Sequence, residues 1–113
     1  MAELDPGNQA PITQAPITIK TWKEGDTPVV SLSGELDLSN TEQVRAQLED
    51  ALAGGTNRLV FEVSELEFMD SSGIALLASA AQRVREVEIR HPPAIVRRLL
   101  ELTGLTELLR IVS

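Results

Sequence analysis

Residues 58–84 decide the fold, and they read RLVFEVSELEFMDSSGIALLASAAQRV. The first part, residues 58–63, predicts a strand, and its consecutive apolar side chains predict burial on both faces, as in a parallel sheet. The last part, from residue 74 to about residue 84, is rich in Ala and Leu and predicts a helix. An acidic segment ending in Asp70-Ser71-Ser72-Gly73 connects them. A buried strand that leads through a polar segment into a helix indicates an α/β domain.

The segments before this stretch predict a hairpin and a first helix. Strands over residues 18–22 and 28–34 flank a turn at Gly25-Asp26. The sequence Ser39-Asn40-Thr41-Glu42 fits a capping box, in which a serine hydroxyl and a glutamate carboxylate bind free amides at a helix start. The helix that follows is predicted to end at Gly54-Gly55.

The segments after it predict a fourth strand over residues 87–90, a third helix from Pro92-Pro93 to Gly104, and a short final strand. The third helix has a predicted apolar stripe with two apolar neighbours beside it: Ile95, Leu99 and Leu102, then Val96 and Leu100. The complete prediction is an α/β fold with a mixed, largely parallel sheet of four to five strands, helices packed against it, and an antiparallel hairpin at its start.

Length and composition limit the possible classes. A chain of 113 residues is long enough for one domain, predicted at residues 17–113, after a flexible tail at residues 1–16. A net charge of -7 argues against a direct nucleic-acid partner. No apolar run is long enough to span a membrane and no signal peptide is evident, so we expect a cytoplasmic location. There is no cysteine, and the single histidine, His91, lacks companion ligands, so neither a metal nor a cofactor is predicted.

The segment Asp70-Ser71-Ser72-Gly73 has two interpretations. Asp70 and Ser71 can simply cap the helix, since both residue types accept amide hydrogen bonds at helix starts. Alternatively, Ser71 is exposed there for phosphorylation, which would add about -1.5 to -2 charges. Ser72 is the rival phosphorylation site, but it lies deeper in the helix, where we expect its hydroxyl to bind its own backbone.

Three stretches in order carry a resemblance to a known family: LSGELD at residues 32–37, LEFMDSSGI at 66–74 and PAIVRRLLELTGL at 93–105. With them, the chain resembles STAS domains of the bacterial anti-sigma-factor antagonist type from about Thr18 onward. It departs from the family's pattern in being several residues shorter between Gly73 and Pro93.

The resemblance implies a binding protein that acts by partner switching. Such a protein holds an anti-sigma factor that is also a serine kinase of the histidine-kinase-like ATPase fold, and so releases a sigma factor. Phosphorylation of the serine after the motif aspartate, here Ser71, ends that hold, and a serine phosphatase restores it. The resemblance places Asp37 beside the serine, and the implied partner-binding residues are Asp37, Asp70, Ser71, Ser72 and Gly73.

Two alternatives use the same fold or the same serine. In the first, the domain is a non-phosphorylated STAS scaffold subunit of a larger signalling or lipid-transport assembly. In the second, Ser71 is the nucleophile of an enzyme. The sequence argues against the enzyme, since Asp-Ser-Ser-Gly does not match Gly-x-Ser-x-Gly and His91 alone would have to be the base.

Overall fold

The computed structural model describes residues 16–113, so the predicted tail lies, except for Pro16, outside the described residues and stays a prediction. The described chain folds into five strands, three α-helices and one 3-10 turn, in the predicted order. The strands are β1 (Ile17–Glu24), β2 (Thr27–Leu36), β3 (Arg58–Met69), β4 (Glu86–Arg90) and β5 (Arg110–Val112). The helices are α1 (Thr41–Leu52), α2 (Ser71–Arg83) and α3 (Ala94–Leu102), and the 3-10 turn is Leu105–Glu107.

One mixed sheet carries all five strands in the order β1-β2-β3-β4-β5. β1 pairs with β2 as an antiparallel hairpin, and every later pair is parallel. Each connection between parallel strands, from β2 to β3, β3 to β4 and β4 to β5, therefore adds the next strand on the same side of the sheet. Because such crossovers are right-handed, all three helices lie on the same face of the sheet. The prediction of a largely parallel sheet entered by a hairpin is confirmed.

The central strand β3 is six residues longer than the predicted strand, which ended at residue 63. Its pairing with β2 contains two irregularities, and at each of them β3 advances one residue more than its partner. These are β-bulges, which shift the alternation of side chains between the two faces. The buried residues at the end of β3 consequently recur every third position, at Val63, Leu66 and Met69. The extension carries the strand directly into Asp70-Ser71.

Helix α3 buries only part of its apolar surface. Val96 and Leu100 are fully buried against the sheet, whereas Ile95 and Leu102 of the predicted stripe are 51% and 69% exposed. Leu99 lies at the boundary and is partly buried. The sheet therefore covers the side of α3 that carries Val96 and Leu100, and it leaves much of the stripe beside them exposed.

The predicted capping box at the start of α1 is also wrong. The helix begins at Thr41 with Asn40 at the N-cap, one residue later than predicted. The hydroxyl of Ser39 donates to Asp37 Oδ1 at 2.6 Å. The side chain of Asn40, which is 1% exposed, donates to the Glu35 carbonyl at 2.7 Å and accepts from the Asp37 amide at 3.1 Å. These residues therefore fold the loop between β2 and α1 back onto the end of β2.

Candidate functional site

The candidate site lies at the edge of the sheet where the parallel strands β2 and β3 end. The Asp70 amide donates to the Leu36 carbonyl at 3.1 Å, which joins the last residue of β2 to the first residue after β3. The loop after β2 and the start of α2 are thereby held side by side. Carboxyl ends of parallel strands are the usual position of binding sites in α/β sheets.

Asp70 is the N-cap of α2 and accepts four hydrogen bonds. Its Oδ1 accepts from the amide of Ser72 at 2.9 Å, from the hydroxyl of Ser72 at 2.6 Å and from the amide of Gly73 at 3.3 Å. Its Oδ2 accepts from the Leu38 amide at 3.2 Å, across 32 residues of chain. One carboxylate therefore caps α2 and also ties it to the loop after β2.

The charge of Asp70 is stabilised by these contacts. Desolvation by partial burial is the largest single influence and raises the pKa, but the hydrogen bonds from Ser72, Gly73 and Leu38 together outweigh it. The net result is a pKa of Asp70 below its ordinary value. The site therefore presents a fixed negative charge at neutral pH.

The two serines of the motif have different environments. Ser71 is the first residue of α2 and is exposed, and within residues 16–113 its hydroxyl has no hydrogen-bond partner. Ser72 is half-buried, and its hydroxyl is bound to Asp70 rather than to its own backbone, which corrects the prediction for it. The prediction that Asp70 caps the helix is confirmed. The cap does not use the Ser71 side chain.

Gly73 is required by packing. It is buried in the first turn of α2, and a Cβ added there would lie 2.6 Å from Met69 Cγ and 3.0 Å from Leu36 Cγ. The helix start can therefore approach the ends of β2 and β3 this closely only with a glycine. Gly73 thus positions the first turn of α2, including Ser71, through packing.

Asp37 lies in the loop that Asp70 holds, between β2 and α1. Its Oδ1 accepts from the amide of Ser39 at 2.9 Å and from the hydroxyl of the same residue at 2.6 Å, so the carboxylate organises the loop. The neighbouring residue, Leu38, is 78% exposed at the tip of this loop. The structure thus brings Asp37, Asp70, Ser72 and Gly73 into one region around Ser71, and their role in partner binding stays a prediction.

A further feature of the site was not predicted from the sequence. An apolar groove with a volume of about 330 Å³ runs between the start of α2 and the end of α3. Ile74 lines one wall and Leu99 the other, and Phe68 and Met69 lie at the end of β3 between them. Ser71 is part of the first wall. The signal in the sequence was the number of apolar residues on α3, which exceeds what one face packed on the sheet can bury.

His91 is not placed to act on Ser71. Its Nδ1 lies 2.8 Å from Glu62 Oε2, in the middle of β3. Met69 lies seven positions after Glu62 along the strand, a distance of about 23 Å at ~3.3 Å per residue. A base at that distance cannot accept a proton from the Ser71 hydroxyl.

In residues 16–113, no group of three or more Asp, Glu or His side chains is arranged to hold a metal ion. Among the three α-helices of the same residues, none has the length and hydropathy needed to cross a membrane.

We expect Asp70→Ala to lower the free energy of unfolding at pH 7 by about 1 to 2 kcal/mol, the usual cost of losing an N-cap. Because the pKa of Asp70 is lowered in the folded state, its stabilisation is present above the unfolded pKa of about 4 and is lost as pH falls through the folded pKa. The difference in free energy of unfolding between the unmodified protein and Asp70→Ala should therefore become smaller in acid. Urea titrations at pH 7 and at pH 3 measure it.

The control for this prediction is Asp50→Ala, which removes an exposed carboxylate from the last turn of α1. It should change the stability by only a few tenths of a kcal/mol, about the size typical of surface substitutions. If Asp70→Ala lowers the free energy of unfolding by the same amount at both pH values, the stabilisation does not come from the ionised carboxylate.

Together, the fold and the site define a class of protein: a single-sheet α/β domain that exposes a serine at the first turn of the helix after its central strand. A family model described as "Mlab, STAS domain" matches residues 19–111. The chain belongs to the STAS domain family, and its resemblance to the anti-sigma-factor antagonist type is confirmed.

The similar proteins bear related names. An anti-sigma F factor antagonist from Lysinibacillus sphaericus is 34% identical over 88 residues, which cover 71% of this chain and 73% of that protein. The crystal structure of an anti-sigma factor antagonist from Mycobacterium paratuberculosis has a TM-score of 0.80 and 25% identity, and 86% of each chain is covered. The anti-sigma factor antagonist SpoIIAA, in its unphosphorylated form, has a TM-score of 0.72 and 25% identity, covering 85% of this chain and 89% of that one.

Proposed function

We propose that this chain is an anti-sigma factor antagonist, a binding protein and not an enzyme. In this proposal, the domain at residues 17–113 acts in the cytoplasm. It binds an anti-sigma factor that is also a serine kinase of the histidine-kinase-like ATPase fold, and a sigma factor is released. The names of the similar proteins support the general function. The geometry around Ser71 supports the switch.

The exposed, unpartnered hydroxyl of Ser71 is the observation that carries the proposal. A kinase needs a hydroxyl that it can reach without disturbing the fold. Within residues 16–113 the Ser71 hydroxyl makes no hydrogen bond that phosphorylation would have to break. Phosphorylation of Ser72, in contrast, would first have to break its bond to Asp70. Ser71 is therefore the proposed phosphorylation site.

Phosphorylation is proposed to end binding through charge. The phosphate would add about -1.5 to -2 charges next to the ionised Asp70. The start of α2 has amides that favour an anion, so the modified protein can remain folded. In an interface, however, a doubly charged group must be desolvated, and this costs affinity unless the partner supplies a cation. A serine phosphatase would then restore the binding form.

The test is phosphorylation in a purified system. Each anti-sigma kinase encoded in the same genome is incubated with the chain and ATP, and the intact mass is recorded. We expect one kinase to add a single phosphate, which Ser71→Ala abolishes and Ser72→Ala leaves in place. If none of the kinases modifies or binds the chain, the proposal fails, and the scaffold alternative becomes the better account.

A further inference from the structure

We propose that the outer edge of the sheet, strand β1, is an interface at which two copies of this chain pair antiparallel, with Trp22 of one copy opposite Trp22 of the other. The two sheets would then form one continuous sheet of ten strands across a two-fold axis. The inference goes beyond the proposed function and does not depend on it. It rests on the unpaired backbone of β1, on the weak protection of this edge, and on the matching charges of one register.

Strand β1 presents unpaired backbone groups along its outer side. It lies at the end of the strand order, and among the described strands it pairs with β2 alone. A two-residue turn that begins at Gly25, where φ is +62°, joins the two strands, so the residues flanking the turn exchange both hydrogen bonds. Because bonded and non-bonded pairs alternate in an antiparallel ladder, the amides and carbonyls of Ile19, Thr21 and Lys23 point away from β2. Within residues 16–113, no other segment binds them.

This edge lacks most of the features that prevent exposed strands from pairing. Natural edge strands are often short, interrupted by proline or distorted by a bulge. Strand β1 has eight residues, no proline and an unbroken register with β2. Its remaining protection is two lysines, Lys20 and Lys23, which repel a second copy in any register that places one of them opposite itself. Pairing therefore requires a register that separates the lysines.

Three side chains of β1 lie together on the open face of the sheet. Ile17 and Ile19 pack against the core, and side chains alternate along a strand, so Lys20, Trp22 and Glu24 point to the face without helices. All three are exposed, and Lys20 makes no ion pair within residues 16–113. The edge thus exposes a large aromatic ring between a cation and an anion.

A register centred on Trp22 matches these side chains between two copies. It places the two Trp22 rings opposite each other, and Lys20 of each copy opposite Glu24 of the other. Aromatic pairs and opposite charges stabilise directly opposite positions of antiparallel strands. Because the two-fold axis repeats every contact, this register provides two Lys–Glu pairs beside the aromatic pair. The lysines that protect the edge in other registers therefore favour pairing in this one.

The carboxylate of Glu24 can accept a lysine of the second copy in addition to its present partners. Its two oxygens accept from Arg90 Nη1 at 3.0 and 3.1 Å, and Oε2 also accepts from Trp22 Nε1 at 3.5 Å. These hydrogen bonds, that of Arg90 first, lower the pKa of Glu24 and keep it ionised. A carboxylate has about four acceptor positions, so one stays available. The flexible stem of Lys20 allows its ammonium group to reach it.

Pairing at β1 would leave the candidate site accessible in both copies. Strand β1 is antiparallel to β2, so Ile17 lies beside Gly34 near the candidate site, and Glu24 lies at the opposite end. The centre of the register, at Trp22, is close to that opposite end. Ser71 follows β3, which is two strands away from the edge. A dimer would therefore present two exposed serines, and a partner with two binding sites would gain avidity.

The first test reverses the two charges in separate proteins and measures self-association by analytical ultracentrifugation. We expect the unmodified chain to change from monomer to dimer as its concentration rises. Lys20→Glu and Glu24→Lys should each weaken the dimer at least about tenfold, because two pairs across the edge become like-charged. A mixture of the two variants should dimerise about as tightly as the unmodified chain, because every such pair is then opposite in charge again. Misfolding of either variant would not produce this rescue.

The matched control is Arg85→Glu, which makes the same change in net charge as Lys20→Glu at an exposed position between α2 and β4. It should dimerise normally, and it should not restore the association of Glu24→Lys. A chain that stays monomeric up to about 1 mM would overturn the inference. The same holds if Lys20→Glu and Glu24→Lys associate no better together than alone.

The second test determines the register by disulfide cross-linking. The chain has no cysteine, so Thr21→Cys, Trp22→Cys and Lys23→Cys each provide one thiol on the edge. In the proposed register only residue 22 faces itself, with the Cβ separation of about 4.5 to 5.5 Å of directly opposite residues. We expect Trp22→Cys to form a linked dimer at least about tenfold faster than the other two variants, because a disulfide requires its two Cβ atoms to lie close together.

The outcomes separate this inference from the proposed function. Faster cross-linking at residue 21 or 23, or equally slow cross-linking at all three positions, means another register or another surface and overturns the inference. If the chain is monomeric but a kinase phosphorylates Ser71, the inference is wrong and the proposed function stands. If the charge reversal and the cross-linking give the expected results but no kinase binds, the proposed function fails and the β1 interface stands.

Discussion

Ser71→Asp should weaken the complex with the cognate anti-sigma kinase at least about tenfold, while Ser71→Ala should bind about as tightly as the unmodified protein. The aspartate places a second carboxylate next to Asp70, whose four hydrogen bonds keep it ionised. In the complex this added charge must be removed from water, which costs several kcal/mol unless the partner supplies a cation. A cost of about 1.4 kcal/mol already corresponds to a factor of ten in affinity. Isothermal titration of the kinase with each variant measures the change.

Unfolding would not explain such a loss of affinity. A negative charge at the first position of a helix interacts favourably with the helix dipole, which offsets repulsion by Asp70, so Ser71→Asp should stay about as stable as the unmodified protein. The matched control is Ser64→Asp, which makes the same substitution at an exposed position of β3, five residues before the strand ends. It should bind normally. Equal affinities of Ser71→Asp and Ser64→Asp for the kinase would rule out the proposed switch.

Gly34→Ala should lower the free energy of unfolding by about 2 to 3 kcal/mol, the upper part of the range for one strained backbone position. Gly34 has φ +104°, a conformation that side chains with a Cβ rarely adopt. An added Cβ would also lie 2.3 Å from the Pro16 carbonyl oxygen, which accepts a hydrogen bond from the Glu35 amide at 3.1 Å. Relief of the clash would therefore break that bond. Guanidinium unfolding followed by circular dichroism measures the loss.

Gly54→Ala serves as the control for Gly34→Ala. Its backbone is outside the left-handed region, and no heavy atom lies within 4 Å of an added Cβ. The substitution should be neutral or stabilise the protein by about 0.4 to 1 kcal/mol through a reduced entropy of the unfolded chain. A Gly34→Ala protein as stable as Gly54→Ala would show that the close approach at Gly34 is not needed for the fold.

The irregularity at Gly34 also explains why the end of β3 was not predicted. In the sequence Ser64-Glu65-Leu66-Glu67-Phe68-Met69, a strand's alternation over residues 65–68 would bury Leu66 and Phe68 on one face. The structure buries Leu66 and Met69 and leaves Phe68 42% exposed. Two bulges opposite β2 produce this spacing of three, and one of them lies between Gly34 and Glu35. A bulge is a property of two paired strands, so the sequence of one strand does not reveal it.

The candidate site was predictable in part. Asp70 at a helix start followed from residue preference alone, since a side-chain acceptor is favoured at an N-cap. The bond from Asp70 to the Leu38 amide did not follow, because 32 residues separate the partners. The difference in exposure between Ser71 and Ser72 also depends on contacts between distant segments. Both are polar residues in one helical turn, and only the rotation of α2 against the sheet exposes the first and half-buries the second.

The sequence by itself determined the order of strands and helices, the sheet type, and the motif at the start of α2, because these depend on local periodicity and residue preference. Only the tertiary structure decided where β3 ends, which face of α3 meets the core, and which serine is exposed. Each of these depends on contacts between distant segments. On α3, apolar residues outnumber the positions that the sheet can cover, so packing selected Val96 and Leu100 and left Ile95 and Leu102 exposed beside the site.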